Sequence, residues 1–300
     1  MYNGIININK EKGFTSHDVV AKLRRILGQK KIGHTGTLDP DATGVLPVCL
    51  GNGTKLSDML TDTDKTYRAV FVLGKITDTQ DISGEVIGGS DATFITEDMV
   101  RDAVNSFVGE YDQIPPMYSA IKQNGRKLYE LARAGIEVER AARRITINNI
   151  IIELIDLPYV TITVDCSKGT YIRTLCHDIG LKLGCGACMT ELTRVKVGIF
   201  ELEKGLSLQQ VEELCNEGKL DSYVIPADEM FPDYMKVTML APNGDKAVHN
   251  GNPFVEKDCA EDNLPKDKPI RVYDSSGIFI GVFSYRTEKK MFFPDKMFLL

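Results

Sequence analysis

The stretch Gly33-His34-Thr35-Gly36-Thr37-Leu38-Asp39-Pro40-Asp41-Ala42-Thr43-Gly44-Val45-Leu46-Pro47 sets one carboxylate, Asp39, at a sharp break in a glycine-rich loop. The loop lies between a basic helical segment and an apolar run. Loops of this kind hold a reactive group at a cleft while a rigid scaffold fixes it. An Asp-Pro step is also ordinary turn or helix-start chemistry, so its weight depends on its surroundings.

Upstream, Ile5, Ile6 and Ile8 read as a short strand followed by the turn Lys10-Glu11-Lys12-Gly13. Ser16 is expected to N-cap a helix whose apolar face is Val19, Val20, Leu23, Ile26 and Leu27, with Gly28 as the stop. Downstream, Tyr67 to Leu73 is rich in β-formers and ends at Gly74. Thr96 is expected to cap a second helix carrying Val100, Val104, Phe107 and Val108, closed by Gly109. Ile114-Pro115-Pro116 excludes helix and central strand, because prolines remove donors and fix φ. An extended, mobile insertion is expected there. Ile145 to Leu154 and Tyr159 to Val164 read as strands, and Ser167-Lys168-Gly169 leads into a helix from about Tyr171 to Leu183. Strands and helices mix without a regular βαβ repeat, so the expected class is α+β.

Composition shifts after about Pro232. From Val237 the chain reads as short strands with turns at Asn243-Gly244, Asn250-Gly251-Asn252-Pro253 and Ser275-Ser276-Gly277. Ile270–Tyr273 and Ile278–Val282 flank the last turn as a hairpin. Two units are expected, 1–232 and 237–300, in keeping with roughly 150 residues per domain for 300 residues.

The bulk numbers narrow the function. Hydrophobic content of 43% with 26% charged residues excludes a disordered chain. No apolar run approaches the roughly 20 residues of a membrane helix, and no signal peptide is read at the N-terminus, so the cytoplasm is expected. Seven scattered cysteines suit reduced thiols. Cys185-Gly186-Ala187-Cys188 has no second pair at ribbon or finger spacing, which argues against zinc.

Net charge is −6, but charge is segregated. Lys10, Lys12, Lys22, Arg24, Arg25, Lys30 and Lys31 crowd the first helix and its flanks. A second block spans Lys122, Arg126, Lys127, Arg133, Arg140, Arg143 and Arg144. Such blocks can make a local basic surface for nucleic acid on an acidic protein.

Phosphate-loop, zincin, nucleophile-elbow and dinucleotide signatures are absent from the sequence. With four histidines, a multi-histidine metal centre is not expected. A cofactor-free site built on a carboxylate remains. Asp64-Lys65-Thr66-Tyr67-Arg68, Cys166 to Thr174 and Leu192-Thr193-Arg194 each put aromatic, apolar or cationic side chains at strand ends or junctions.

The H-T-G-x-L-D-P-x-A-T-G loop, the D-K-x-Y-R strand, the Pro116 to Tyr129 segment and S-K-G-T-Y-I-R-T together resemble the bacterial-type tRNA pseudouridine-55 synthases, the TruB family, in family order. N-G-N-P and V-R-V-Y-D-x-x-G-x-F-I-G are similar to the C-terminal PUA RNA-binding domain of those enzymes. Asn9-Lys10-Glu11-Lys12-Gly13 departs from the family's usual D-K-P-x-G turn.

The resemblance implies a mixed, mostly antiparallel sheet with the cleft across its middle, a thumb-like insertion at about 112–144, and a PUA barrel. It implies a stand-alone monomer that isomerises uridine to pseudouridine at position 55 in the tRNA T-loop, with no cofactor, metal, membrane or obligate protein partner. Asp39 would be the nucleophile, on C1′ or on C6, and Arg173 its paired cation. Tyr67 would stack on the extruded uracil or serve in deprotonation at C5. Tyr171 would hold the base or its ribose edge, Leu192 would pack beneath the uracil, and His34 would stack among the extruded nucleotides. Lys55 and Arg194 would contact phosphates.

Rival readings are a non-catalytic RNA binder on the same scaffold, a guide-RNA-dependent dyskerin-like synthase, and a carboxylate glycosidase. The last normally needs two paired acids, and Asp41 is the one obvious neighbour.

Overall fold

The computed structural model describes residues 1–123 and 125–299. Its centre is a nine-stranded sheet. The strands used below are β1 (Gly4–Lys10), β2 (Ile32–His34), β3 (Thr43–Leu50), β4 (Lys65–Leu73), β5 (Gly109–Gln113), β6 (Arg143–Asp156), β7 (Tyr159–Cys166) and β8 (Ala187–Val197). The spatial order is β1-β3-β8-β4-β7-β6-β5, with β2 paired to β3 and Phe200–Glu201 to β8. Within this sheet, β3 and β8 run parallel, in register at Thr43 with Thr193 and Gly44 with Arg194. The other ladders are antiparallel. The expected α+β, antiparallel-dominated architecture is the one observed.

Helix α1 (Ser16–Ile26) presents Val19, Val20 and Leu23 to Ile6, Ile8, Leu46 and Val48. Its N-cap is Thr15, one residue before the expected Ser16. Thr15 and Asp18 form a reciprocal capping box. Ser16 is released for another task, described below. Helix α2 (Glu97–Asn105) is capped by Thr96 as expected, yet it ends at Asn105. Gly109 therefore opens strand β5 rather than closing the helix.

The segment expected to be extended holds a two-residue ribbon, Lys122–Gln123 with Arg126–Lys127, and a short helix α3 (Leu128–Arg133). Leu128 N–H and Tyr129 N–H donate to the carbonyls of Ile121 and Ser119, folding the segment back on itself. Helix α4 (Ile172–Lys182) lies with α2 over one sheet face, where Ile172, Leu175 and Ile179 meet Phe71, Ile162 and Val164. Helix α5 (Leu208–Asn216) packs with α1.

The C-terminal part is a four-stranded sheet, β9 (Met235–Thr238), β10 (Ile270–Tyr273), β11 (Phe279–Arg286) and β12 (Met291–Met297), in chain order across the sheet. The expected hairpin is present as β10 and β11. The expected closed PUA barrel is not: among the described residues the sheet is open, because β9 and β12 form its two edges without pairing to each other. Asn243-Gly244 is likewise no turn but the start of helix α6 (Asn243–His249). Close backbone approach, not turn chemistry, explains Gly244, where a Cβ would come within 2.6 Å of the Asp258 carbonyl. Val282 and Phe298 share an apolar cluster with Ile5, Val45, Phe200 and Phe231 of the larger sheet. That shared burial couples the two sheets energetically.

Candidate active site

The parallel seam between β3 and β8 lies beside a cleft of about 1110 Å³ whose lining includes Asp39, Tyr67, Tyr171, Arg173, Leu192 and Arg194. The loop bearing Asp39 is pinned on every side. Ser16 Oγ accepts from Leu38 N–H at 2.9 Å. The Pro40 carbonyl accepts from Gly13 N–H at 2.9 Å and from Lys10 Nζ at 3.0 Å. Arg194 donates to the Gly36 carbonyl at 3.2 Å and to Val45 O at 2.7 Å. The Thr43 and Thr193 hydroxyls meet at 2.9 Å across the seam. Gly44 has φ +102°, and a Cβ there would lie 2.2 Å from the Arg194 carbonyl. No other residue type fits that approach without moving the backbone.

Arg173 Nε lies 3.1 Å from Asp39 Oδ2. The guanidinium is almost fully buried, with 7% of its side chain exposed, against 43% for Asp39. It is fixed by three further groups: Asp81 Oδ2 at 3.3 Å, the Thr79 carbonyl at 3.2 Å and the Tyr118 carbonyl at 3.0 Å. One cation thus spans two carboxylates and two carbonyls, and only Asp39 faces the open cleft to this extent. Burial pushes the Asp39 carboxyl above its ordinary range, and the Arg173 charge opposes that shift. The arrangement can hold an ionised carboxylate at the open cleft, where it can act as a nucleophile.

Tyr67 stands on β4 opposite Arg194 on β8 and Val164 on β7. Burial raises its phenol pKa, with Arg194 opposing, so the ring is a neutral face at physiological pH. Leu192 is part-buried against the same core. Tyr171 is the N-cap residue of α4, and its backbone is clamped by Gln113. Tyr171 N–H donates to Gln113 Oε1 at 2.8 Å, and Gln113 Nε2 donates back to the Tyr171 carbonyl at 3.0 Å. Burial raises the Tyr171 phenol pKa as well.

One expectation needs correction. Arg194 is 1% exposed and spends its donors on loop carbonyls, so it is a buried strut rather than a phosphate contact. Lys55 is exposed on the 3-10 turn Gly51–Leu56 and lies outside the residues that line the cleft. His34 also lies outside that lining, edge-on to His17 at 5.2 Å, with its pKa lowered mainly by burial. Among the basic residues of the second block, Arg133, Arg143 and Arg144 do reach the cleft rim, with Lys12 and Lys168.

Sequence reasoning missed three residues. Asp81 gave no signal, since it sits in a polar loop, Thr77 to Gly84, that is clipped to β8 by Ile82 N–H to Met189 O and Met189 N–H to Gln80 O. Lys10 was counted with a surface basic block but is 1% exposed, with Nζ donating to three carbonyls, those of Glu11, Phe14 and Pro40. Gln113, also 1% exposed, precedes the two prolines and was passed over with them. Among the described residues, no group of three or more His, Cys, Asp or Glu side chains is placed to hold a metal ion, and no helix is long and apolar enough to cross a membrane.

A mixed, mostly antiparallel sheet with a cleft across it is the fold of a pseudouridine synthase. The chain belongs to the TruB family of pseudouridylate synthases: the family's N-terminal domain model matches residues 24–172, and the tRNA pseudouridylate synthase B C-terminal domain model matches residues 173–232. The second match falls ahead of the sheet that the sequence reading assigned to a PUA module. The chain is 52% identical over 309 residues to the tRNA pseudouridine synthase B of Lachnoclostridium phytofermentans, covering 99% of this chain and 100% of that protein. It is 47% identical over 283 residues to that of Clostridium perfringens, covering 93% and 94%. Among solved structures it is similar to an H/ACA RNP bound to a substrate RNA containing 2'-deoxyuridine, with TM-score 0.69, 25% identity and 99% and 85% coverage. It is also similar to a Cbf5-Nop10-Gar1 complex, with TM-score 0.70, 27% identity and the same coverage.

Proposed function

We propose that this chain isomerises uridine to pseudouridine at position 55, in the T-loop of tRNA, as a stand-alone enzyme without cofactor or guide RNA. The observation that carries the reading is the Asp39–Arg173 pair at 3.1 Å in the cleft, on a loop that the surrounding hydrogen bonds hold rigid. The two relatives quoted above are both named tRNA pseudouridine synthase B, which supports tRNA as the substrate.

The target base must leave its stack to be reached, at a cost of a few kcal/mol. Stacking on the Tyr67 face returns about 1–3 kcal/mol, with Leu192 packing below and Tyr171 at the base or ribose edge. Asp39, held ionised by Arg173, attacks C1′ of the sugar or C6 of the pyrimidine. The glycosidic bond to N1 breaks, the uracil turns, and C5 bonds to C1′; the bond to Asp39 breaks in turn, and its electron pair returns to the carboxylate. The C5 hydrogen is then lost as a proton while N1 takes one up, with the neutral Tyr67 hydroxyl at hand to relay it. His34 stacks among the extruded nucleotides next to the site.

Arg133, Arg143, Arg144 and Lys168 at the rim would meet the phosphates of the T-arm, so binding would weaken with salt. Segment 112–144 would grip that arm by shape and by its loop bases. The C-terminal sheet would supply a further RNA contact; there Arg286 and Lys289 lie 4.5 and 5.0 Å from the Phe293 ring centroid.

The test is tritium release from tRNA transcript labelled with [5-³H]uridine, wild type against Asp39→Asn, with no guide RNA or metal added. Release by wild type alone supports the reading. Tight tRNA binding without release by wild type would leave a non-catalytic RNA binder, or a guide-dependent enzyme like the RNP proteins of similar fold.

A further inference from the structure

Ser119 is 96% buried, being 4% exposed, yet its side chain borders the catalytic cleft. Its Oγ has no hydrogen-bond partner. Among the described residues only two other buried side-chain polar atoms share that condition, Asn7 Oδ1 and His177 Nδ1, and neither residue lines the cleft. A buried hydroxyl without a partner costs about 1–3 kcal/mol, so such groups are rare unless a ligand completes them.

Both backbone groups of Ser119 are used. Ser119 N–H donates to the Met117 carbonyl, its own carbonyl accepts from Tyr129 N–H, and the neighbouring Tyr118 carbonyl accepts from Arg173 Nη2. The residue is therefore rigidly placed between the short helix α3 and the cation that pairs with Asp39. Its hydroxyl lies close enough to the Tyr171 phenol to lower that group's pKa, second to the opposing effect of burial, without meeting hydrogen-bond geometry. A rigid, open-ended hydroxyl beside the aromatic group expected to hold the nucleotide is a recognition element with one half missing.

We infer that Ser119 is a substrate-positioning residue whose hydroxyl bonds the polar edge of the extruded uracil. The inference rests on the synthase reading above. The chemistry favours a hydroxyl at this place. When the detached uracil turns about its N3–C6 line, O2 and O4 exchange places while N3–H stays on the axis. A hydroxyl both donates and accepts, so it serves either carbonyl oxygen or N3–H, before and after the turn. A fixed donor or a fixed acceptor serves only part of that set.

The experiment compares wild type, Ser119→Ala and Ser119→Cys in single-turnover tritium release, with tRNA affinity and thermal unfolding measured alongside. The expected result is a rate lower by about tenfold in Ser119→Ala, the worth of one hydrogen bond. Its tRNA Kd stays within about twofold, because phosphate contacts dominate affinity. Its Tm is unchanged or raised, since an unpartnered buried hydroxyl is removed. Ser119→Cys, which keeps size but donates weakly, falls between the two. On tRNA carrying 4-thiouridine or 2-thiouridine at the target, wild type slows for at least one of them. Ser119→Ala loses that discrimination. A purely structural serine would lower Tm and rate together and leave the thio-effects in place, and that pattern would overturn the inference. A Ser119→Ala rate within twofold of wild type would also overturn it. Absence of release by wild type itself would instead strike the synthase reading.

Discussion

Lys10 Nζ donates to the carbonyl of Pro40, the residue that follows Asp39, at 3.0 Å. A buried ammonium thereby fixes the backbone of the Asp39 loop from a strand 30 residues away in the chain. Burial lowers the Lys10 pKa from 10.5 to about 8, against the opposing charges of Asp39 and Asp41.

The pH dependence of stability follows from that shift. Below about pH 8 the amine is protonated in both folded and unfolded chains, and its buried charge costs the fold the full difference. Between about 8 and 10.5 the unfolded chain binds the extra proton, so the contribution of Lys10 to stability rises with pH. Lys10→Met, which removes three carbonyl contacts, is expected to cost about 2–3 kcal/mol at neutral pH by denaturant unfolding. The Tm gap between wild type and this variant should widen from pH 7.5 to 10.5. A gap that narrows over that range contradicts the burial argument.

Arg173 opposes the desolvation of Asp39. Replacing it with Gln leaves two carboxylates, Asp39 and Asp81, without their shared cation. Turnover should drop at least about 100-fold, and the Asp39 pKa should climb further. The acid limb of the rate profile must then move to higher pH, since the ionised form is the reactive one. Tritium release measured from pH 5 to 9 reads both effects. An unmoved acid limb would mean that the limiting ionisation is not that of Asp39.

Tyr67 is assigned a face and a hydroxyl, and two substitutions separate them. Tyr67→Phe keeps the stacking surface and should bind tRNA within about threefold of wild type while losing turnover, if the hydroxyl serves at C5. Tyr67→Ala should lose about 1–3 kcal/mol of base stacking in addition. Equal turnover of Tyr67→Phe and wild type would confine the residue to stacking.

Arg194 offers a sharp contrast between a strut and a phosphate contact. As a strut on Gly36 and Val45, its replacement by Met should destabilise the fold by about 2–4 kcal/mol, from two carbonyls left unpaired, and leave the salt dependence of tRNA binding unchanged. As a phosphate contact, its loss would instead reduce the slope of log K against log salt by about 0.7–0.9.

Much of this molecule is legible in its sequence, and the reasons are local. Strands β4, β6 and β7 have runs of β-branched and aromatic residues long enough to outweigh rival patterns, and α1 and α2 carry clear apolar faces. Asp39 and Arg173 are found from their motifs, although 134 positions separate them. What stayed hidden depends on tertiary burial. A lysine in the turn after a strand reads as surface charge, and only packing reveals Lys10 as an internal donor. Arg194 follows the same logic. Asp81 lies in a polar loop whose place is set by two hydrogen bonds to β8, which no local pattern encodes. Ser16 looked like a cap because it precedes the apolar periodicity, but Thr15 has the better partner in Asp18. Barrel closure of the C-terminal sheet was inferred from resemblance, and strand pairing does not provide it.

The parallel seam of β3 with β8 has a consequence for the timing of synthesis. Asp39 emerges from a ribosome early, but the strand that braces its loop, and the arginine that pairs with it, lie beyond residue 170. A nascent chain that has not yet presented residues 187–197 therefore carries its carboxylate on an unbraced loop, and should be chemically silent toward the RNA crowding the ribosome. Stalled chains ending before residue 187 should release no tritium from labelled tRNA. On that expectation, the order of strands in the sheet would arm the enzyme only once most of its catalytic region exists.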